Sequence, residues 1–75
     1  MQAIRNRMKK IIKDIWYNGF LVIDVKINQK IDKYGKTYYF VNYMIENGTW
    51  ITVSRFYDMD DALEFYDDCF IQEEE

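Results

Sequence analysis

Asn47-Gly48 stands between two runs dense in aromatic and β-branched residues, TYYFVNYMIE and TWITVSRFY. No other feature limits the folding of this chain as sharply. A two-residue type I′ turn needs positive φ at both central positions, and Asn-Gly is the pair that supplies it most readily. A hairpin is therefore expected over residues 37–57. A two-residue loop sets Ile45 opposite Trp50, Tyr43 opposite Thr52, Val41 opposite Ser54 and Tyr39 opposite Phe56.

Upstream, Leu21, Ile23, Val25 and Ile27 alternate with Val22, Asp24, Lys26 and Asn28, the period-two pattern of a half-buried strand. Asp32-Lys33-Tyr34-Gly35-Lys36 has the chemistry of a short loop, which pairs Ile31 with Thr37, Ile27 with Val41, Val25 with Tyr43 and Ile23 with Ile45. Opposed residues share a face. The core face then collects Ile23, Val25, Ile27, Tyr39, Val41, Tyr43, Ile45, Trp50 and Phe56, and the other face carries Asp24, Lys26, Asn28, Asn42 and Arg55 with Phe40, Met44, Ile51 and Val53.

Two helices are expected to flank these strands. Ile4, Met8, Ile11, Ile12, Ile15 and Trp16 recur on one face of a helix, and Asn18-Gly19 follows as its left-handed terminator. Arg5, Arg7, Lys9, Lys10 and Lys13 fill the opposite side. Near the C-terminus Asp58 is a good N-cap, with Asp61 three residues on. Ala62, Leu63, Phe65, Tyr66, Cys69 and Phe70 form the apolar side and Asp60, Glu64, Asp67 and Asp68 the wet side.

The expected architecture is one domain over residues 1–75, an α+β two-layer sandwich in the order α-β-β-β-α. It has a helix at about 3–17, strands at about 20–31, 37–46 and 49–57, a helix at about 59–70 and an acidic tail at 71–75. A three-stranded antiparallel meander would carry both helices on one face.

Chemistry is scarce. The chain has no histidine, a single serine (Ser54) and a single cysteine (Cys69), so neither a Ser-His nor a Cys-His nucleophile pair can be assembled within it. It has no glycine-rich phosphate cradle and no EF-hand spacing among its carboxylates. The expectation is a non-enzyme without cofactor or metal. The lone cysteine and the lack of a secretory hydrophobic segment or an 18-residue apolar run point to the cytoplasm.

Charge is uneven. Residues 1–36 hold nine Lys/Arg against three Asp, whereas residues 37–75 hold Arg55 alone against ten Asp/Glu. Two surfaces follow as candidates for partner binding: the carboxylate stripe Asp60, Glu64, Asp67 and Asp68, able to imitate a phosphate backbone, and a patch of Phe40, Met44, Ile51 and Val53 on the uncovered sheet face, which suits either a partner or a homodimer.

The α-β-β-β-α order, the short acidic chain without His or Pro, the Asn-Gly hairpin and the terminal DMDDALEFYDD segment together resemble the small phage-encoded inhibitors of host defence, type II anti-CRISPR proteins that mimic DNA. The resemblance implies binding to a Cas effector through carboxylates, in a bacterial host cytoplasm. The basic N-terminal segment departs from an all-acidic mimic. The function expected is thus an inhibitor or modulator of a host nucleic-acid-binding or defence protein. The alternatives are a small nucleic-acid-binding regulator using Arg5, Arg7, Lys9, Lys10 and Lys13, which the net charge of −3 opposes, and a structural homodimer.

Overall fold

The computed structural model describes residues 11–71. In chain order these form β1 (Ile11–Ile12), β2 (Trp16–Tyr17), β3 (Phe20–Ile31), β4 (Thr37–Ile45), β5 (Trp50–Phe56), α1 (Met59–Asp67) and β6 (Phe70–Ile71). β2, β3, β4 and β5 make one antiparallel sheet in that order, and β1 pairs with β6 in a small ribbon beside it. α1 packs against β3, β4 and β5. The expected α-β-β-β-α sandwich is therefore corrected: the described chain is mostly sheet, with one short helix.

The expected first helix fails from residue 11 onward; its earlier residues lie outside those described. Ile11, Ile12 and Ile15 are β-branched and favour extended backbone, and here strand partners are at hand. Ile11 and Ile12 pair with Ile71 and Phe70, and the amide of Lys13 donates to the carbonyl of Cys69 at 2.9 Å. The apolar spacing serves a different end, since Ile12 and Tyr17 pack against the core from strands and Ile15 from the segment that joins them. Asn18 (φ 50°) and Gly19 (φ 85°) are both left-handed and join Tyr17 directly to its partner Phe20. The pair expected to stop a helix instead closes a two-residue hairpin.

At Asn47-Gly48 the reverse holds. Only Gly48 has positive φ, at 90°. Its amide donates to the carbonyl of Ile45 at 2.8 Å, and the amide of Ile45 donates to the carbonyl of Thr49 at 3.0 Å. The loop is thus Glu46-Asn47-Gly48, a turn closed by a left-handed glycine, and Asn47 Oδ1 braces it by accepting from the amide of Thr49.

The longer loop displaces the neighbouring register by one residue. Met44 faces Trp50, Tyr43 faces Ile51 and Asn42 faces Thr52; then Val53 is left over in a bulge, and Val41↔Ser54, Phe40↔Arg55 and Tyr39↔Phe56 follow. β3 does the same at its start. Asp24↔Met44 is succeeded by Val22↔Ile45, with Ile23 left over. Ile23 is 48% exposed and Val22 only 3%. Ile23 and Trp50 therefore leave the core side, and Ile51 joins it.

The core forms between this side of the sheet and α1 with β6: Val22, Val25, Val41, Ile45, Cys69 and Phe70, with Val41 fully enclosed. Asp58 caps α1, its Oδ1 accepting from the amide of Asp60 at 2.9 Å. The helix stops at Asp67 rather than running to Phe70, with no basic residue in its last turn and carboxylates at the negative end of its dipole. That early stop frees Phe70 to be buried from a strand. Leu63, expected on the apolar side, is 40% exposed. Among the described residues no helix is long and apolar enough to cross a membrane.

The bulge makes a direct prediction. Val22→Ala should destabilise the fold by about 2 kcal/mol. Ile23→Ala, an exposed truncation, should cost less than about 1 kcal/mol. Urea denaturation of the two variants checks it; the opposite order would return Ile23 to the core side.

Candidate functional site

The side of the sheet turned away from α1 is built by residues that face one another across the strands. Asp24, Lys26, Asn28 and Lys30 of β3 lie opposite Met44, Asn42, Phe40 and Tyr38 of β4, which in turn lie opposite Trp50, Thr52 and Arg55 of β5 for all but Tyr38. No helix or strand of the described chain covers this face. Its centre is polar and fixed. Asn42 is only 5% exposed, and its amide Nδ2 donates to Asn28 Oδ1 at 2.7 Å while its Oδ1 accepts from Thr52 Oγ1 at 2.6 Å. A buried amide has to be paired. This one is paired by a strip running across all three long strands.

Around that strip every aromatic ring carries a cation. Lys26 Nζ lies 4.1 Å from the centre of Trp50, Lys30 Nζ 5.8 Å from Phe40 and the Arg55 guanidinium 5.2 Å from Tyr38. Tyr57, just past β5, stands 5.9 Å from Tyr38 and carries Lys36 at 5.4 Å. Tyr38 and Phe40 are themselves 6.0 Å apart. Lys30, Tyr38, Phe40, Thr52 and Arg55 line a shallow hollow of about 260 Å³. The arrangement can offer flat apolar surface, positive charge and fixed hydrogen-bonding groups within one patch.

The opposite side of the molecule is acidic. Asp60, Glu64, Asp67 and Asp68 are all exposed, on α1 and at its end. Asp61, Glu64 and Asp68 line a second hollow of about 260 Å³ with Phe56 and Phe65. Among the described residues, the cations Lys26, Lys30, Lys36 and Arg55 thus gather on one side of the sheet and the carboxylates of α1 on the other. Among the described residues no three His, Cys, Asp or Glu side chains come together as a metal site.

Of the residues expected on the uncovered sheet face, Phe40 and Met44 are there, whereas Ile51 and Val53 pack against the core. Lys13 is exposed between β1 and β2, and Arg5, Arg7, Lys9 and Lys10 lie outside the described residues. Sequence reasoning missed Trp50 as a surface group and passed over Lys30, Tyr38 and Thr52. The signal for β3 and β4 was present: Lys26 and Lys30 keep step with Tyr38 and Phe40 at period two.

Cys69 is buried and plays a structural part. Its thiol donates to the carbonyl of Phe65 at 3.5 Å, which leaves the Tyr43 hydroxyl, 3.9 Å away, to donate to the sulfur. Burial pushes the Cys69 thiol up and pushes Tyr43 up to about 12, the neighbouring Cys69 adding to the latter. A comparison with family models, curated proteins and solved structures finds no match to the chain.

The shifts carry a sign. Tyr43 titrates at about 12 in the folded protein against 10.0 ordinarily, so the stability it lends is complete below pH 10 and drains away as pH rises toward 12. Cys69, also raised, acts in the same direction. Thermal melts between pH 9 and 12 should therefore show a falling midpoint in the wild type and a shallower fall in Tyr43→Phe; parallel curves would detach Tyr43 from the alkaline transition.

Proposed function

We propose that this chain is a non-enzymatic binding protein whose working surface is the open face of the sheet. The observation that carries the reading is the ordered alternation of Lys26, Lys30, Lys36 and Arg55 with Trp50, Phe40, Tyr57 and Tyr38 around the Asn28–Asn42–Thr52 strip. An inhibitor or a regulator could equally be built on such a surface.

The reading through the carboxylates Asp60, Glu64, Asp67 and Asp68 keeps one observation in its favour, their common exposure on the outer side of α1. Exposed acid on a surface helix is, however, what solubility alone provides. The resemblance to phage-encoded inhibitors leaned in part on an α-β-β-β-α order; with that order replaced, the short acidic chain without His or Pro, the hairpin around Asn47-Gly48 and the acid-rich terminal helix are what remain of it. A homodimer through the sheet face would bring two patches of four cations each together, which like-charge repulsion opposes.

Immobilised protein exposed to a cell lysate separates the two surfaces. The triple variant Lys26→Glu/Lys30→Glu/Arg55→Glu should lose the macromolecules that the wild type retains, and Asp60→Asn/Glu64→Gln/Asp67→Asn/Asp68→Asn should keep them. The reverse pattern would move the working surface to α1.

A further inference from the structure

We infer that the ligand of the open sheet face is a single-stranded nucleic acid, an inference that rests on that face being the binding surface. The first argument is charge. Lys26, Lys30, Lys36 and Arg55 stand there against Asp24, whose Oδ1 is engaged by the amide of Val25 at 2.9 Å, and Asp32 in the loop beside Lys36, whose Oδ1 accepts from the amides of Tyr34 and Lys36 at 2.9 Å. Such a patch suits a polyanion. Protein–protein interfaces, by contrast, are depleted of lysine at their centres, and Lys26 stands beside the central Asn42.

The second argument is the pairing of each cation with a ring. A nucleotide chain repeats a charged phosphate and a flat base, and the face repeats a cation and a flat ring. Same-face neighbours along a strand are about 7 Å apart and adjacent strands about 4.8 Å, a grid on which unstacked bases can be laid. Energetics favour the exchange. A base stacked on an aromatic side chain is held more strongly than a cation over an exposed ring. A base can therefore displace the ammonium or guanidinium, and the long stems of Lys and Arg let the charge move to the adjoining phosphate.

The third argument selects the single strand. The rings can stack only on bases released from pairing, which a duplex does not offer along its length. The fixed strip Asn28–Asn42–Thr52 supplies polar groups for exposed base edges. The overall charge of −3 is no obstacle. A helix is about 10 Å across, so the carboxylates on the outer side of α1 lie beyond a Debye length of about 10 Å in 0.1 M salt.

Fluorescence anisotropy with labelled 12-nucleotide oligo-dT and oligo-U, and with a duplex of equal length, tests the inference on the full chain. The single strands should bind at least about tenfold more tightly than the duplex. Trp50→Ala and Phe40→Ala should each weaken binding roughly 5- to 150-fold. Because both rings are half-buried, the exposed substitutions Lys30→Gln and Arg55→Gln serve as companions that leave the fold alone; each should flatten the dependence of log K on log salt by about 0.7. Absence of binding in low salt, equal affinity for duplex, or an unchanged salt slope in Lys30→Gln and Arg55→Gln would overturn the inference. Were the oligonucleotides to fail while the triple charge reversal still abolished capture from lysate, the face would stand as the working surface with a protein as its occupant. Loss of neither would remove the face itself.

Discussion

β4 sets everything else, because its register with β3 on one side and β5 on the other decides which side chains meet α1 and which meet solvent. In a sheet a slip of one residue exchanges the two faces. β4 is flanked by two such slips, at Ile23 in β3 and at Val53 in β5. Between them the strand keeps an unbroken alternation, with Val41 enclosed on one side and Asn42 on the other. The core and the cation-and-ring face are two readings of the same alternation.

The long strands were legible because their residues repeat at period two over many positions, and Asp58 was legible as the opening of α1 because an N-cap is a local event. Residues 11–17 were not. Their apolar spacing satisfies a helix, and what overrides it is distant: β1 needs β6, some sixty residues away, and β2 needs the turn at Asn18-Gly19. The two Asn-Gly pairs show the same limit. Both have the composition of a two-residue turn, yet only Asn18 adopts the left-handed conformation, while Asn47 uses its side chain to brace a longer loop.

The candidate face was half legible for a related reason. Phe40 and Met44 belong to β4, which has no bulge, and pattern alone puts them on the uncovered side. Trp50, Ile51 and Val53 belong to the part of β5 where loop length and bulge together change the assignment, and nothing in their composition reports a bulge. A count of charges along the chain was similarly blind to layers. It registered a basic half and an acidic half, where the fold gathers Lys26, Lys30, Lys36 and the lone C-terminal cation Arg55 into one patch.

The two bulges also fall in the strands that bound the sheet. Among the described residues β2 pairs with only Phe20 and Leu21, so most of β3 has no strand partner on its outer rim, nor has β5 on the far side. A straight rim of unpaired amides and carbonyls invites another chain to add itself as the next strand, and a chain this rich in aromatic and β-branched residues would be a ready recruit. A bulge bends and twists such a rim, and lysines at positions 26 and 30 charge it. The irregularities that sort side chains between the two faces therefore also disfavour edge-to-edge stacking of neighbouring molecules, the route by which a small sheet becomes the seed of a fibre.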